Sequence, residues 1–221
     1  EKATLIITSD ASQLVAAAAI YVRVEHLSGM ITCHLMAAKS KVASKLTIPK
    51  AEMLGAVMSA SLGHIVYINM GDCVNKVIFV TDSTIVLYWL LQDQRPLGVS
   101  VRNSVLEIRR LSSHGTWYHV PGVDNPADIA TRPMTVAELV APSDWLSGRP
   151  WMSQPDMYEK LQTAEQIKLS REEEVAANKE IRGGTGRGII LTVTPHRMND
   201  RYEFSDYLID PKSRNWESYL R

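Results

Sequence analysis

Lys76-Val77-Ile78-Phe79-Val80-Thr81-Asp82-Ser83-Thr84 decides the fold of this chain. Residues 77–81 carry no charge and are β-branched or aromatic apart from their order, which is the composition of a short buried strand. The run stops at an aspartate followed by two hydroxyl residues, the kind of sequence that opens a helix. Upstream, Leu54, Val57, Leu62, Ile65 and Ile68 fall at near-helical spacing, and a helix is expected over residues 48–69 with Pro49 in its first turn and Thr47 as N-cap. A strand reached through a helix must cross over, and so pairs in parallel with its neighbour.

Working outward, residues 3–9, 14–25 and 29–38 read as three strands joined by turn-prone stretches at 10–12 and 26–29, which favours an antiparallel meander. Residues 83–91 offer a short helix, and Val101, Val105, Ile108 and Leu111 stripe another before Ser112-Ser113-His114-Gly115 breaks it. Residues 116–120 give a last strand, Pro121-Gly122 a turn, and residues 125–131 a helix start. The order βββαβααβα predicts an α/β fold: a mixed five-stranded sheet with helices on both faces, followed by a C-terminal extension.

Four acids stand out against this frame. Asp10 and Asp82 end apolar runs, so both side chains are expected at strand ends, whereas Glu52 and Asp128 fall in the first turns of helices. Four carboxylates brought together without basic partners repel one another, and divalent cations relieve that repulsion. The chemistry this implies is phosphodiester hydrolysis at two metal ions. Taken singly, each acid also has a local role open to it: Asp10 in a turn, Glu52 and Asp128 at helix N-termini, Asp82 as a cap.

The chain has 221 residues, 45% hydrophobic and 22% charged, ordinary globular values with room for a proper core. Its formal net charge is zero, but unevenly distributed: residues 1–133 hold 12 Lys and Arg against 10 Asp and Glu, and only 6 acids once the four candidates are set aside. That leaves a basic frame, suited to a phosphate backbone. The remaining 88 residues are mildly acidic, with 12 basic and 14 acidic side chains. No terminal run suits a bilayer span and no signal-peptide pattern is visible, so a soluble, intracellular protein without a membrane partner is expected. Cys33 and Cys73 are too few for a disulfide framework and are expected as reduced, buried thiols.

Five segments in this order carry a family likeness: Ser9-Asp10-Ala11-Ser12; Ala37-Ala38-Lys39-Ser40-Lys41-Val42-Ala43; Leu46-Thr47-Ile48-Pro49 with Glu52; Thr81-Asp82-Ser83-Thr84-Ile85-Val86-Leu87-Tyr88-Trp89-Leu90; and His119-Val120-Pro121-Gly122 leading into Asn125-Pro126-Ala127-Asp128. The chain resembles the ribonuclease H domain of LTR-retrotransposon polyproteins, within that group the BEL/Pao class, over residues 1 to about 152. The resemblance implies the ribonuclease H-like fold and two Mg²⁺ ions, with Mn²⁺ as a substitute. In that scheme Asp10 bridges both ions, Asp128 completes the site that activates water, and Glu52 and Asp82 hold the ion facing the leaving 3′-oxygen, so that the product carries a 5′-phosphate. Ser12, Thr47, Ser83 and Asn125 match substrate- or site-orienting positions, each with a cap or turn role as the alternative.

The substrate implied is the RNA strand of an RNA–DNA hybrid made during reverse transcription, in a cytoplasmic virus-like particle with possible nuclear entry. The partners implied are the reverse transcriptase and integrase regions of the same polyprotein. One departure stands out: the loop before the last acid reads Gly122-Val123-Asp124-Asn125, with no histidine where many ribonucleases H carry one, and His119 upstream reads as structural. A captured host domain with a silent site is the competing reading. Integrase-type chemistry is disfavoured because Glu52 sits on the first long helix.

The expected organisation is a catalytic domain over 1–133, a Trp/Pro-rich connector over 134–152 and a weakly packed tail over 153–221 toward an integrase region. Within the tail, Glu172-Glu173-Glu174 reads as a solvated helix face, Arg182 to Gly188 as a linker, 189–193 as a strand and 202–216 as a segment able to dock. Arg182, Arg187, Arg197 and Arg201 are candidate phosphate contacts.

Overall fold

The computed structural model describes residues 2–91, 97–141 and 143–182. The tail expectations on residues 183–221, including the glycine-rich linker, the 189–193 strand, the docking segment and Arg187, Arg197 and Arg201, lie outside the described residues.

Strands β1 (Lys2–Ala11), β2 (Val15–Glu25) and β3 (Ile31–Val42) form the antiparallel meander. Helix α1 (Ile48–Met70) then crosses to β4 (Lys76–Thr81), which pairs in parallel with β1. Helices α2 (Thr84–Leu91) and α3 (Val99–Leu111) lead to β5 (Thr116–His119), parallel to β4. The short helices α4 (Ala127–Ala130), α5 (Val136–Val140) and α6 (Asp144–Ser147) follow. A two-residue strand, β6 (Gln162–Thr163), pairs antiparallel with β5, and α7 (Arg171–Arg182) ends the described chain. The sheet order is β3-β2-β1-β4-β5-β6. The sheet is therefore six-stranded rather than five-stranded; a two-residue strand between 3-10 turns has no alternation for a sequence reading to find.

Strand alternation sorts the core into two layers. Leu5, Ile7, Val77 and Phe79 face α1, whereas Ile6, Ile78 and Val80 face a layer containing Trp145, Trp151, Met152, Met157 and Leu161, with Ile129 and Ala130 of α4 against it. Helices thus cover both faces, the second with short pieces. A third cluster joins α1 to α2 and α3 through Ala56, Ala60, Trp89, Val105 and Ile108 and takes in Ala177 of α7.

α1 is long and apolar enough to cross a membrane by length and composition, but much of it is buried within the protein. Its inward stripe differs from the one expected. Leu54 and Val57 are buried, yet Ile65 and Ile68 are exposed, and the buried line runs through Ala56, Ser59, Ala60, Gly63 and Val66. The cause is close approach to the sheet: a Cβ on Gly63 would lie 2.5 Å from Ile7 Cδ1, and one on Gly55 would lie 2.9 Å from the Asp10 carbonyl oxygen. Small residues face inward because the helix has no room for large ones.

The connector and the first half of the expected tail belong to this fold. The buried Arg23 donates from Nε to the Met152 carbonyl and from Nη2 to the Gln154 carbonyl, each at 2.9 Å, and Tyr21 donates to the Trp145 carbonyl at 3.0 Å. Met152, Met157, Leu161, Ala164 and Ala177 are buried. Packing therefore continues past both 133 and 152, through turns whose apolar residues follow neither helical nor strand period. Cys33 is buried as expected; Cys73 is exposed, because it lies in the turn after α1 rather than on a core face.

Candidate active site

Register places the first pair of acids side by side. Ser9 of β1 is opposite Thr81 of β4, so Asp10 and Asp82, each one residue further on, emerge at neighbouring strand ends. The two carboxyls are close enough for the Asp10 charge to raise Asp82. Glu52 reaches the same end of the sheet from α1 on one face, and Asp128 from α4 on the other. Charge influence follows that order: Glu52 feels Asp82 and Asp10, and Asp10 and Asp82 each feel Asp128.

The electrostatics are those of a crowded, partly dehydrated acidic cluster. Burial, with the Asp82 and Asp10 charges adding to it, pushes the Glu52 carboxyl up to about 7 against an opposing hydrogen bond from Ser83. Burial and Asp10 push Asp82 up to about 6, opposed by Asn125. Asp10 is raised by burial and by Asp128, while Thr131 pulls the other way. Each group resists ionisation because its neighbours are already charged and water is scarce.

The expectation that all four acids lack a basic partner needs correction at Asp128. Arg132 stands one turn further along the chain and donates to Asp128 Oδ1 from Nη2 at 2.8 Å and from Nε at 3.1 Å. An i,i+4 pair of this kind is legible in sequence. Among the described residues no three His, Cys, Asp or Glu side chains form a group already arranged to hold a metal ion. The acids share one end of the sheet, but as a string rather than a cage.

The four candidate orienting residues have separate roles. Asn125 is fully buried; its amide donates to the Ser9 carbonyl at 2.8 Å and to Asp82 Oδ1 at 3.1 Å, while its oxygen accepts from the Ala127 N–H at 3.1 Å. It joins β1, Asp82 and the start of α4. Ser83 donates to Glu52 Oε2 at 2.7 Å and accepts from the Val86 N–H at 3.2 Å, so one hydroxyl caps α2 and fixes Glu52. Ser12 is a turn residue, accepting from the N–H groups of Leu14 and Val15. Thr47 occupies the N-cap position of α1 without making the cap bond and lies near Glu180 of α7, whose carboxyl it helps to lower.

Three positions have a role at the site that the sequence reading did not give them. Thr131 places its hydroxyl 3.0 Å from Asp10 Oδ2 and 2.9 Å from the Asp128 carbonyl oxygen, bridging two of the acids. Gly122 faces Asp82 so closely that a Cβ there would lie 2.9 Å from Asp82 Oδ2. Trp151 donates to the Asp124 carbonyl at 2.9 Å and pins the loop that carries Asn125. A threonine three residues after an acid at a helix start is the one available signal; the other two depend on distant chain.

Replacing Asn125 with alanine leaves a buried carbonyl, an amide and Asp82 without their partner. About 2 kcal/mol of stability should be lost, read from urea unfolding. A loss under about 0.5 kcal/mol, the range of neutral surface changes, would show that the contacts are dispensable.

Comparison with known proteins finds a family likeness over the first part of the chain. Residues 1–83 match the Pao retrotransposon-like RNaseH-like domain. This is the family to which the motif order pointed, and the matched stretch contains Asp10, Glu52 and Asp82, while Asn125 and Asp128 lie beyond it. No curated protein matches. Among solved structures, ribonuclease H1 from the halophilic archaeon Halobacterium salinarum is 15% identical, covering 59% of this chain and 94% of its own, with a TM-score of 0.39. LC11-RNase H1 in complex with an RNA/DNA hybrid is 16% identical over 57% of this chain and 91% of its own, TM-score 0.40. The foamy viral protease-reverse transcriptase in complex with an RNA/DNA hybrid is 14% identical over 54% of this chain and 17% of its own, TM-score 0.36.

Proposed function

We propose that this Pao-type domain is a metal-dependent endonuclease that hydrolyses the RNA strand of RNA–DNA hybrids during retrotransposon reverse transcription. The observation that carries this reading is the row Glu52, Asp82, Asp10, Asp128 at one end of the sheet, with three of the carboxyls raised by burial and mutual repulsion. Such a row destabilises the protein unless something positive fills it, and active sites are where that cost is tolerated. The donor set is hard carboxylate oxygen, which fits Mg²⁺ or Mn²⁺.

Asp10, at the centre of the row, would contact both ions; Asp128 would complete one site, and Glu52 with Asp82 the other. Two such ions, when bound, activate water and stabilise the attacking and leaving oxygens of an in-line displacement. The remaining work falls to this chain's own groups. Ser83 holds the Glu52 carboxylate, Asn125 holds that of Asp82, and Thr131 orients Asp10. With no histidine in the loop 122–125, the leaving 3′-oxygen would take its proton from solvent.

Partners in this reading are the hybrid and the reverse transcriptase and integrase regions of the same polyprotein. The deciding assay incubates the full chain with a hybrid labelled on each strand in millimolar Mg²⁺. The expected result is cleavage of the RNA strand to 5′-phosphate ends with the DNA strand intact.

A second reading, a captured binding module with a silent site, is favoured by the Arg132–Asp128 ion pair and by the lack of a ready three-ligand group among the described residues. Under that reading the chain binds hybrid and leaves the RNA whole, even when joined to its polymerase region.

A further inference from the structure

Helix α7 docks against the α1–α2–α3 layer through Ala177, with Ala176 and Leu169 beside it. Docking turns two of its glutamates inward and leaves Glu172 and Glu174 exposed. Glu180, its side chain only 8% exposed, lies 2.8 Å from Lys50 Nζ, with Thr47 close enough to help hold its carboxyl below the ordinary range. Glu173 accepts from the Thr84 hydroxyl and adds its charge to the surroundings of Glu52.

Both contacts fall where an anion is favoured. Thr47 is the N-cap of α1, whose first turn has no acidic residue and whose cap hydroxyl makes no cap bond, and Thr84 is the first residue of α2. Helix N-termini present free N–H groups and partial positive charge, which bind carboxylate and phosphate alike. α1 also carries Glu52, and α2 begins two residues after Asp82, so these two N-termini border the acidic row. Glu173 and Glu180 are seven residues apart on one helix, about 10.5 Å along its axis.

We propose that α7 is an acidic strap whose Glu173 and Glu180 carboxylates stand in for nucleic-acid phosphates at Thr84 and at Thr47 with Lys50, so that a hybrid seats fully only when the strap lifts. The proposal rests on the hybrid-cleaving reading above, whose site it regulates. Lys50 is more than a third exposed, so its ion pair is weak and salt-sensitive, as a releasable contact must be. The strap taxes binding: if it is closed about nine-tenths of the time, apparent affinity falls about tenfold.

The test uses the full chain and a labelled RNA–DNA hybrid in Ca²⁺ buffer, read by fluorescence anisotropy. The E173Q/E180Q double variant should bind about tenfold more tightly than wild type. The control E172Q/E174Q removes the same charge from the outward face and should change affinity by less than about threefold. Independently of any variant, hydrogen exchange across residues 171–182 of the wild-type chain should speed up when saturating hybrid is added. Equal gains in both double variants, or an α7 that stays protected in the bound complex, would overturn the strap and leave the hybrid-cleaving reading standing. Failure of wild type and every variant to bind hybrid would remove that reading, and the strap with it.

Discussion

Asp10→Asn should reduce hybrid cleavage to under about 1% of wild type, since even residues that only orient metal ligands cost about 10- to 100-fold. In metal-free buffer at pH 8 the same change should raise the melting temperature. Asparagine keeps the size of the side chain, can still accept from Thr131, and removes the central charge from a row in which Glu52, Asp82 and Asp10 are all held above their ordinary carboxylate range. Relief of about 1 kcal/mol corresponds to a few degrees for a domain of this size.

The pH dependence has a definite sign. A carboxyl whose folded pKa is raised binds protons more readily in the folded state, so the metal-free protein loses stability as pH climbs from the ordinary carboxylate range near 4 toward about 7, the folded value at Glu52. Glu173 and Glu180, whose hydrogen bonds lower them, act oppositely and lose their contribution below about pH 4. Without metal, stability should therefore peak near pH 5 and be lower at pH 8. Millimolar Mg²⁺ at pH 8 should restore it in wild type by mass action, and less in Asp10→Asn. A flat metal-free profile from pH 5 to 8, together with no response to Mg²⁺, would remove the metal site.

Much of this arrangement was legible in the chain. The apolar run before Asp82, reached through a helix, gave the parallel crossover, and the strand ends put Asp10 beside Asp82. Asn125 was marked from the Asn-Pro-Ala-Asp motif, although its work is to bind Ser9 and Asp82 from a fully buried position.

What was not legible depends on close approach or on distant partners. The inward face of α1 is lined by alanine, serine and glycine, which hydrophobic periodicity underweights. Large residues such as Ile65 and Ile68 carry the pattern and point outward. The partners of Arg23 are carbonyl groups about 130 positions away, and backbone acceptors leave no mark in a sequence. Glu173 reads as part of a solvated charge run, because nothing local distinguishes it from Glu172 and Glu174.

The same long-range contacts set the second large effect. A chain ended at residue 151 should fail to fold stably, although a composition-based boundary at 152 suggests a complete domain. The cut removes Met152, Met157 and Leu161, all buried against the Ile6, Ile78 and Val80 face, at about 1.5–3 kcal/mol each. It also removes β6 and the packing of Ala177, and uncovers the open edge of β5. Arg23, 1% exposed, would keep its ion pair with Glu25 but lose the Met152 and Gln154 carbonyls that take up its other guanidinium hydrogens; a buried cation stripped of part of its acceptor set adds a further cost of about 1–3 kcal/mol. The total rivals the roughly 5–15 kcal/mol that holds a whole domain together. Circular dichroism melts should show no cooperative transition above about 40 °C for the 1–151 chain, where the full chain unfolds cooperatively, mesophilic domains commonly melting at about 45–65 °C. A cooperative melt within a few degrees of the full chain would mean that residues 152–182 decorate the domain rather than complete its core.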